Sequence, residues 1–318
     1  MGIRGLNTFI KKVCPDCITT NFITKYSDKI FGIDASILLY KYRHISNLDN
    51  TCINSHIIGF IHRIIYYRRF NITPVFIFDG VPPDQKKITL KKRQTIKRKI
   101  YEKIELLQLL NPKSDKEKKE IDEEITKLSM QIITVTKEHV NDVKRLLDLI
   151  GVNYYNAPDE AEKYCVYLKN KGIIDYIVSD DTDVFTFGGT NVLKSSIKNN
   201  IVETDIEQFL TKSNFNMKKF IDFCILSGCD YLPYVPSLAI NTVNTLFKKH
   251  DTIEDVIKLN KYSFANEYDN LNEIREIFTE FKYDEPKGLK EIEINKKKLN
   301  DFLEEKNIQN SEKILEKF

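Results

Sequence analysis

The sequence predicts an α/β fold: a central, mostly parallel sheet flanked by helices. Three observations carry that prediction. Short apolar runs alternate with helical patterns through the first 230 residues, as in successive βαβ units. Acidic residues follow directly on several of those runs, at the strand ends where functional groups of such sheets collect. A long basic excursion then interrupts the alternation at residues 84–136 and resumes into it.

The elements follow in chain order. KIFGIDA and TPVFIFDG read as strands, and an amphipathic helix between them carries Ile57, Ile58, Ile61, Ile64 and Ile65. Residues 84–103 hold nine Lys or Arg (Lys86, Lys87, Lys91, Lys92, Arg93, Lys97, Arg98, Lys99, Lys103) against Asp84 and Glu102. Ile96, Ile100, Ile104 and Leu107 form one stripe through that block, Asn111-Pro112 breaks it, and Lys113 to Lys127 reads as a mixed-charge helix. An excursion of about 50 residues exceeds ordinary connections and marks function or disorder; its stripes argue for helices. A helix from Pro158 to about Lys169, with proline welcome in its first turn, precedes the strand DYIVS, and VLKSS reads as a further strand. Beyond Asp230 the chain is helical and charged, with turns near Pro233–Ser237 and Asp284–Pro286. The expected division is a core over 1–225, with the excursion inside it, and a helical region over 226–318.

Composition bounds the partners. Charged residues make up 30% and hydrophobics 42%, ordinary for a globular chain. A net charge of +3 says little, whereas the block at 84–103 is an electrostatic footprint for phosphates. Six cysteines imply reduced thiols and an intracellular setting, and Cys14 and Cys17 form a lone CPDC without the four ligands zinc requires. No cleavable signal and no apolar run near the ~18 residues of a membrane span is present.

The chemistry lies in seven acids beside apolar segments: Asp34, Asp79, Glu160, Glu162, Asp181, Asp183 and Asp230. Two carboxylates about 4 Å apart repel by roughly 4 kcal/mol at an effective dielectric near 20, so a cluster of seven needs cations. The donor set is all oxygen, which favours Mg2+ or Mn2+ over zinc or copper. Asp181 and Asp183 share a face if extended geometry persists. Glu160 and Glu162, read in the first turn of a helix, stand about 200° apart. Magnesium, carboxylates and a basic excursion point to phosphodiester hydrolysis by two ions about 4 Å apart. Lys86 and Arg93, spaced i and i+7 on the first basic helix, can then grip the scissile phosphate, with Lys91, Lys92, Lys97 and Arg98 as further phosphate contacts.

The start MGIRGL, IDAS with Tyr40 soon after, FDGVPPDQK, VTKEH, APDEAEKYC, SDDTDVFTFG and SGCDY, in this order and spacing, resemble the flap endonuclease (XPG-like) family of structure-specific nucleases. The resemblance runs from Met1 to about Phe302. It implies a PIN-like core, a helical arch at 84–136 through which a single-stranded flap passes, and a helix–two-turn–helix-like region after Asp230. It implies a two-metal endonuclease and 5′-exonuclease on flap or branched DNA, using Mg2+ with Mn2+ as substitute. The seven acids become metal ligands, Lys86 and Arg93 phosphate-gripping residues, Tyr40 a stacking platform, and Lys137 of VTKEH a basic DNA contact.

The chain also departs from the pattern. In YVPSLAINTV, Ser237 and Ala239 stand at glycine positions and Asn241 and Thr242 replace basic residues. The ending SEKILEKF lacks a sliding-clamp-binding tail. With an AT-biased composition, these departures resemble the poxviral branch of the family, which implies the host cytoplasm as location, against the nucleus for a cellular relative. Duplex grip would then come from self-association, a replication-complex partner or the charged carboxyl-terminal region. Two other readings are a PIN-like ribonuclease, which seldom needs a long arch, and a non-catalytic junction-binding scaffold, for which seven unused acids would be costly.

Overall fold

The computed structural model describes residues 2–48, 54–112, 114–195 and 199–318. Helix α1 (Leu6–Val13) is followed by β1 (Ile18–Phe22), β2 (Ile30–Asp34), α2 (Ala35–Leu48), α3 (Ser55–Arg68) and β3 (Thr73–Phe78). Next come α4 (Lys87–Gln108), α5 (Asp115–Ser129), α6 (Lys137–Leu149), β4 (Tyr154–Asn156), α7 (Ala161–Asn170), β5 (Tyr176–Val178) and the short α8 (Asp183–Thr186). The chain continues through β6 (Val192–Ser195), β7 (Asn200–Thr204), α9 (Ile206–Ser213), α10 (Met217–Gly228), α11 (Ile240–Phe247) and α12 (Ile253–Ile257). It ends with α13 (Leu271–Thr279), α14 (Lys296–Glu305) and α15 (Ser311–Leu315).

Two compact units result. The first comprises Met1–Ala35, Tyr67–Thr89 and Asn153–Lys290. It holds a seven-stranded sheet of order β1-β7-β6-β5-β2-β3-β4. Strands β4, β3, β2, β5 and β6 pair in parallel, and β7 joins β6 and β1 antiparallel. β2 and β3 are buried along nearly their whole length, as central parallel strands covered on both faces must be. β1 is a polar edge with Phe22 exposed. Helices α1, α7, α9 and α10 supply apolar faces to the same core through Phe9, Leu168, Phe209 and Phe223. The stretch that reads as one helix between the first two strands is two, α2 and α3. In α3 Ile57, Ile61 and Ile64 are buried while Ile58 and Ile65 are half-buried.

The second unit comprises Ser36–Tyr66, Leu90–Val152 and Glu291–Phe318. Helix α4 has no buried residue. Its stripe is weaker than the sequence suggests: Ile100, Ile104 and Leu107 are half-buried and Ile96 is 59% exposed. Lys103 pairs with Glu124 at 2.7 Å, joining α4 to α5. Lys113 lies outside the described residues, and α5 begins at Asp115 behind the N-cap Ser114. Helix α6 carries Val143, Leu146 and Leu147 inward, where α14 packs with Leu299, Phe302 and Leu303.

Candidate active site

Four adjoining parallel strands deliver acids to one sheet edge. Asp34 closes β2, Asp79 follows β3, Glu160 lies just beyond β4, and Asp181 just beyond β5. Asp230 reaches the cluster from the loop after α10, placed by the Arg4 N–H that bonds the Gly228 carbonyl at 3.1 Å. Asp34, Glu160, Asp181, Asp183 and Asp230 are buried, Glu162 is half-buried and Asp79 is exposed at the rim.

The turn 157–160 is locked to the exit of β3. The Gly80 N–H donates to the Asp159 carbonyl at 2.6 Å and the Val81 N–H to the Pro158 carbonyl at 3.1 Å. A Cβ on Gly80 would stand 2.1 Å from the Ala157 carbonyl oxygen, so the approach requires glycine. Because those carbonyls are engaged, the helix does not start at Pro158 as the sequence suggests: Glu160 is the N-cap and α7 opens at Ala161. Asp79 then accepts the free Ala161 N–H at 2.9 Å, an acid placed on a helix N-terminus.

The second correction concerns Asp181 and Asp183. Extended geometry does not persist beyond Val178, since the chain turns and α8 opens at Asp183. Asp181 Oδ1 accepts the Asp183 N–H at 3.2 Å, which drives that turn. On the other side, Gly2 at φ +87 sits so close that a Cβ would lie 2.0 Å from Asp181 Oδ1, and the Ile3 N–H bonds Thr182 Oγ1 at 2.8 Å.

The third correction concerns Lys86. It is not on the first basic helix but in a single 3₁₀ turn, Asp84–Lys86, set by the Lys86 N–H bonding the Pro83 carbonyl at 3.0 Å. The argument from i, i+7 spacing therefore fails. Its ammonium instead enters the acidic cluster, paired with Glu160 Oε1 and 3.7 Å from Asp230 Oδ2. Tyr231 donates to the other Glu160 oxygen, Oε2, and its ring lies 5.9 Å from the Lys86 ammonium.

The electrostatics follow. Burial, then the charges of Asp34, Asp181, Asp79 and Glu160, hold the Glu162 carboxyl well above the usual range. Burial, then Asp181 and Asp230, does the same for Asp183. Burial raises Glu160 as well, against the opposing pull of Lys86. Burial depresses Lys86, but Glu160, Asp230 and Glu162 outweigh it and its ammonium is held raised. The other acids act on two centres, Glu162 and Asp183.

The residues suit a hard cation. Every candidate donor is oxygen, and Asp183 Oδ1 is buried without a hydrogen-bond partner, a costly state that a cation would relieve. Lys86 already supplies one positive charge there. Among the described residues, no three His, Cys, Asp or Glu side chains close around one point as ion ligands would. Lys86 and Tyr231 hold Glu160 by both oxygens, so the carboxylates converge without closing.

The remaining candidates lie in the second unit. Tyr40 on α2 is 39% exposed. Lys91 and Lys92 are exposed on α4, Arg93 is half-buried there, and Arg98 pairs with Glu102 at 3.3 Å. Lys97 donates to the Ile133 carbonyl at 2.8 Å, a structural duty the sequence does not announce. Lys137 is the exposed first residue of α6. In the first unit, Ser237 of YVPSLAINTV adopts φ +68, the left-handed backbone that favours glycine. Ala239, by contrast, sits at φ −70 as the N-cap of α11, so only one of the two positions needs glycine.

The XPG N-terminal domain matches residues 1–100 and the XPG I-region residues 151–230, which places the chain among XPG-type proteins. Flap endonuclease 1 of Glycine max is 34% identical over 270 residues, covering 80% of this chain and 68% of that protein. Flap endonuclease 1 of Theileria parva is 33% identical over 333 residues, covering 100% of this chain and 64% of that protein. The chain belongs to the flap endonuclease family, and it spans about two-thirds of the length of these relatives. Among solved structures, flap endonuclease-1 from Methanococcus jannaschii aligns with TM-score 0.69 and 25% identity over 95% of each chain. The catalytic core of Rad2 in complex with DNA substrate aligns with TM-score 0.78 and 21% identity over 99% and 98%. The Holliday junction-resolving enzyme GEN1 with product DNA and Mg2+ aligns with TM-score 0.61 and 16% identity over 95% and 72%. The last two likenesses show the fold. No helix among the described residues is long and apolar enough to cross a membrane.

Proposed function

We propose that this chain is a Mg2+-dependent, structure-specific DNA nuclease that hydrolyses phosphodiester bonds in flap or branched DNA, as endonuclease and 5′-exonuclease. The observation that supports it is the gathering of seven acids, spread from Asp34 to Asp230, at the carboxyl edge of one sheet with Lys86 among them. Flap endonuclease 1 proteins are relatives of this chain, and the Rad2 and GEN1 structures carry DNA.

In this reading Asp34, Asp79, Glu160, Glu162, Asp181, Asp183 and Asp230 hold two Mg2+ ions, for which Mn2+ substitutes. Ions held there would supply activation of water and stabilisation of the leaving oxygen. The protein's own part is positional. Asp79 fixes the start of α7, and the Asp181 carboxylate fixes the turn that presents Asp183. Lys86 holds a positive charge beside Glu160 and Asp230 and exchanges it onto the scissile phosphate when substrate enters. Arg93 grips the same phosphate. Tyr40 stacks a base, Lys91, Lys92, Lys97, Arg98 and Lys137 contact the DNA backbone, and residues 84–136 form the arch. The nuclease core is residues 1–225 and the duplex-holding region 226–318. The altered hairpin and composition favour the poxviral branch, acting in the host cytoplasm with a replication partner or a second copy.

Incubation with Mg2+ and a labelled 5′-flap duplex, a Holliday junction and an RNA in parallel tests this. Mg2+-dependent cleavage of a DNA junction, lost in Asp181→Ala with binding retained, is expected. Cleavage of RNA alone would shift the reading to a ribonuclease, and junction binding without any cleavage to a scaffold.

A further inference from the structure

The side chain of the acid between the proline and the first glutamate of APDEAEKYC has had no part in the site so far, although its carbonyl helps to lock the turn. Asp159 is nonetheless heavily engaged. Its backbone carbonyl accepts the Gly80 N–H at 2.6 Å and its Oδ1 accepts the N–H of Glu160 at 2.8 Å. The same Oδ1 takes the hydroxyl of Tyr283 at 2.5 Å, and Oδ2 lies 3.4 Å from the ammonium of Lys163. Lys163 is itself buried, 5.8 Å from the Phe281 ring centre and 5.7 Å from that of Tyr283.

Tyr283 and Phe281 belong to residues 281–290, which have no regular secondary structure. This strap is tied down by side chains of the sheet unit. The Tyr155 hydroxyl donates to the Lys287 carbonyl, the Tyr167 hydroxyl to the Asp284 carbonyl at 3.1 Å, and Asn153 exchanges two bonds with the backbone of Lys290. A backbone without its own ladder depends on such partners. Of these ties, the one from Tyr283 ends on the turn that carries Glu160.

We propose that Tyr283 and Asp159, with Lys163 neutralising the carboxylate behind them, form a positioning pair: the strap fixes the Asp159–Glu160 peptide and thereby sets Glu160 and Asp79 for the cation. This rests on the metal-holding reading of the acids given above. Asp159 fixes the backbone from which the Glu160 carboxylate extends, and the Gly80 contact passes the same constraint to Asp79. Supporting residues of this kind usually cost 10- to 100-fold in metal affinity or activity when removed.

Calorimetric titration of the full chain with Mn2+ tests the pair, alongside single-turnover cleavage of a flap duplex across a range of Mg2+ concentrations. Tyr283→Phe keeps the ring packing and removes only the hydroxyl. It should weaken Mn2+ binding roughly tenfold, with DNA affinity unchanged and most of the lost rate recovered at high Mg2+. Asp159→Ala should do the same, the double variant no more than either, while Asp159→Asn, which keeps the acceptor oxygen, should stay near wild type. Wild-type Mn2+ binding that Tyr283→Phe and Asp159→Ala match within twofold would overturn the positioning role and leave the site reading intact. A wild type that takes up no Mn2+ would sink the site reading and this inference with it. Should Tyr283→Phe fail to fold, the contrast between Asp159→Ala and Asp159→Asn decides alone.

Discussion

Replacing Asp183 by asparagine should move two stabilities in opposite directions. Asp183 is 3% exposed, its Oδ1 lacks a hydrogen-bond partner, and Asp181 and Asp230 add like charge. Carboxylates about 4 Å apart repel by roughly 4 kcal/mol at an effective dielectric of 20. Proton uptake relieves part of that, leaving about 1–2 kcal/mol of stabilisation for Asp183→Asn in EDTA, within the ordinary range of single substitutions. The sign of the pH dependence follows from the raised folded pKa. Such a group contributes stability that is present below its unfolded value near 4 and lost as pH rises through the folded value. The advantage of the variant should therefore be larger at pH 8 than at pH 5. With Mg2+ at about a hundred times its Kd, the wild type should gain about 2.7 kcal/mol. The variant should gain less, by about 1.4 kcal/mol for each tenfold loss of affinity. Urea unfolding followed by circular dichroism, in EDTA and in excess MgCl2, reads both quantities. A variant less stable than wild type in EDTA at pH 8, yet keeping the whole Mg2+ increment, would refute the reasoning.

Three further outcomes are expected. Alanine at Lys86 or at Arg93 should lower the single-turnover rate by about 10²-fold, the scale of one preorganised electrostatic donor; a loss of affinity at normal turnover would make them general phosphate contacts. Ser237→Gly should raise the unfolding free energy read from urea titration by up to about 1 kcal/mol by relieving left-handed strain at φ +68; an unchanged or lower value would contradict the backbone assignment. His56 is buried with neither ring nitrogen hydrogen-bonded and Asp142 3.7 Å away, and burial lowers it from 6.5 to about 4. The unfolded chain then binds this proton first, so stability present above pH 6.5 should fall by about 3 kcal/mol as pH drops to 4, and an unchanged acid slope in His56→Phe would show that another group is responsible.

The sheet and the seven acids were legible because both leave local signals. Buried parallel strands need uninterrupted Ile, Val and Phe, and an acid directly after such a run stands out. β1, β4 and β7 left little trace, since ITTNF is a polar edge and YYN is only three residues long. The start of α7 was misplaced because proline at a first turn and proline in a preceding turn look alike until the Gly80 and Val81 bonds are known. Lys86 was put on a helix for a similar reason, as the paired prolines before it end on a 3₁₀ turn that periodicity does not distinguish. Tyr231 and Asp159 were missed although each adjoins a chosen acid. Their partners, Glu160 and Tyr283, lie 71 and 124 positions away in the chain, and such long-range pairs have no local mark.

The order of the acids along the chain also bears on how the protein is made. Asp34, Asp79 and Lys86 emerge early from synthesis, Glu160 to Asp183 much later, and Asp230 last. Strand β5 must slot in beside β2 after β3 and β4 have already been translated, so the cluster closes only through contacts between distant stretches, which are slow to form. Each nascent fragment therefore carries its ammonium before most of the carboxylates it will meet. Only Asp230 arrives after the last strand, β7, so the final charge of the cluster is added once every strand of the sheet has been made.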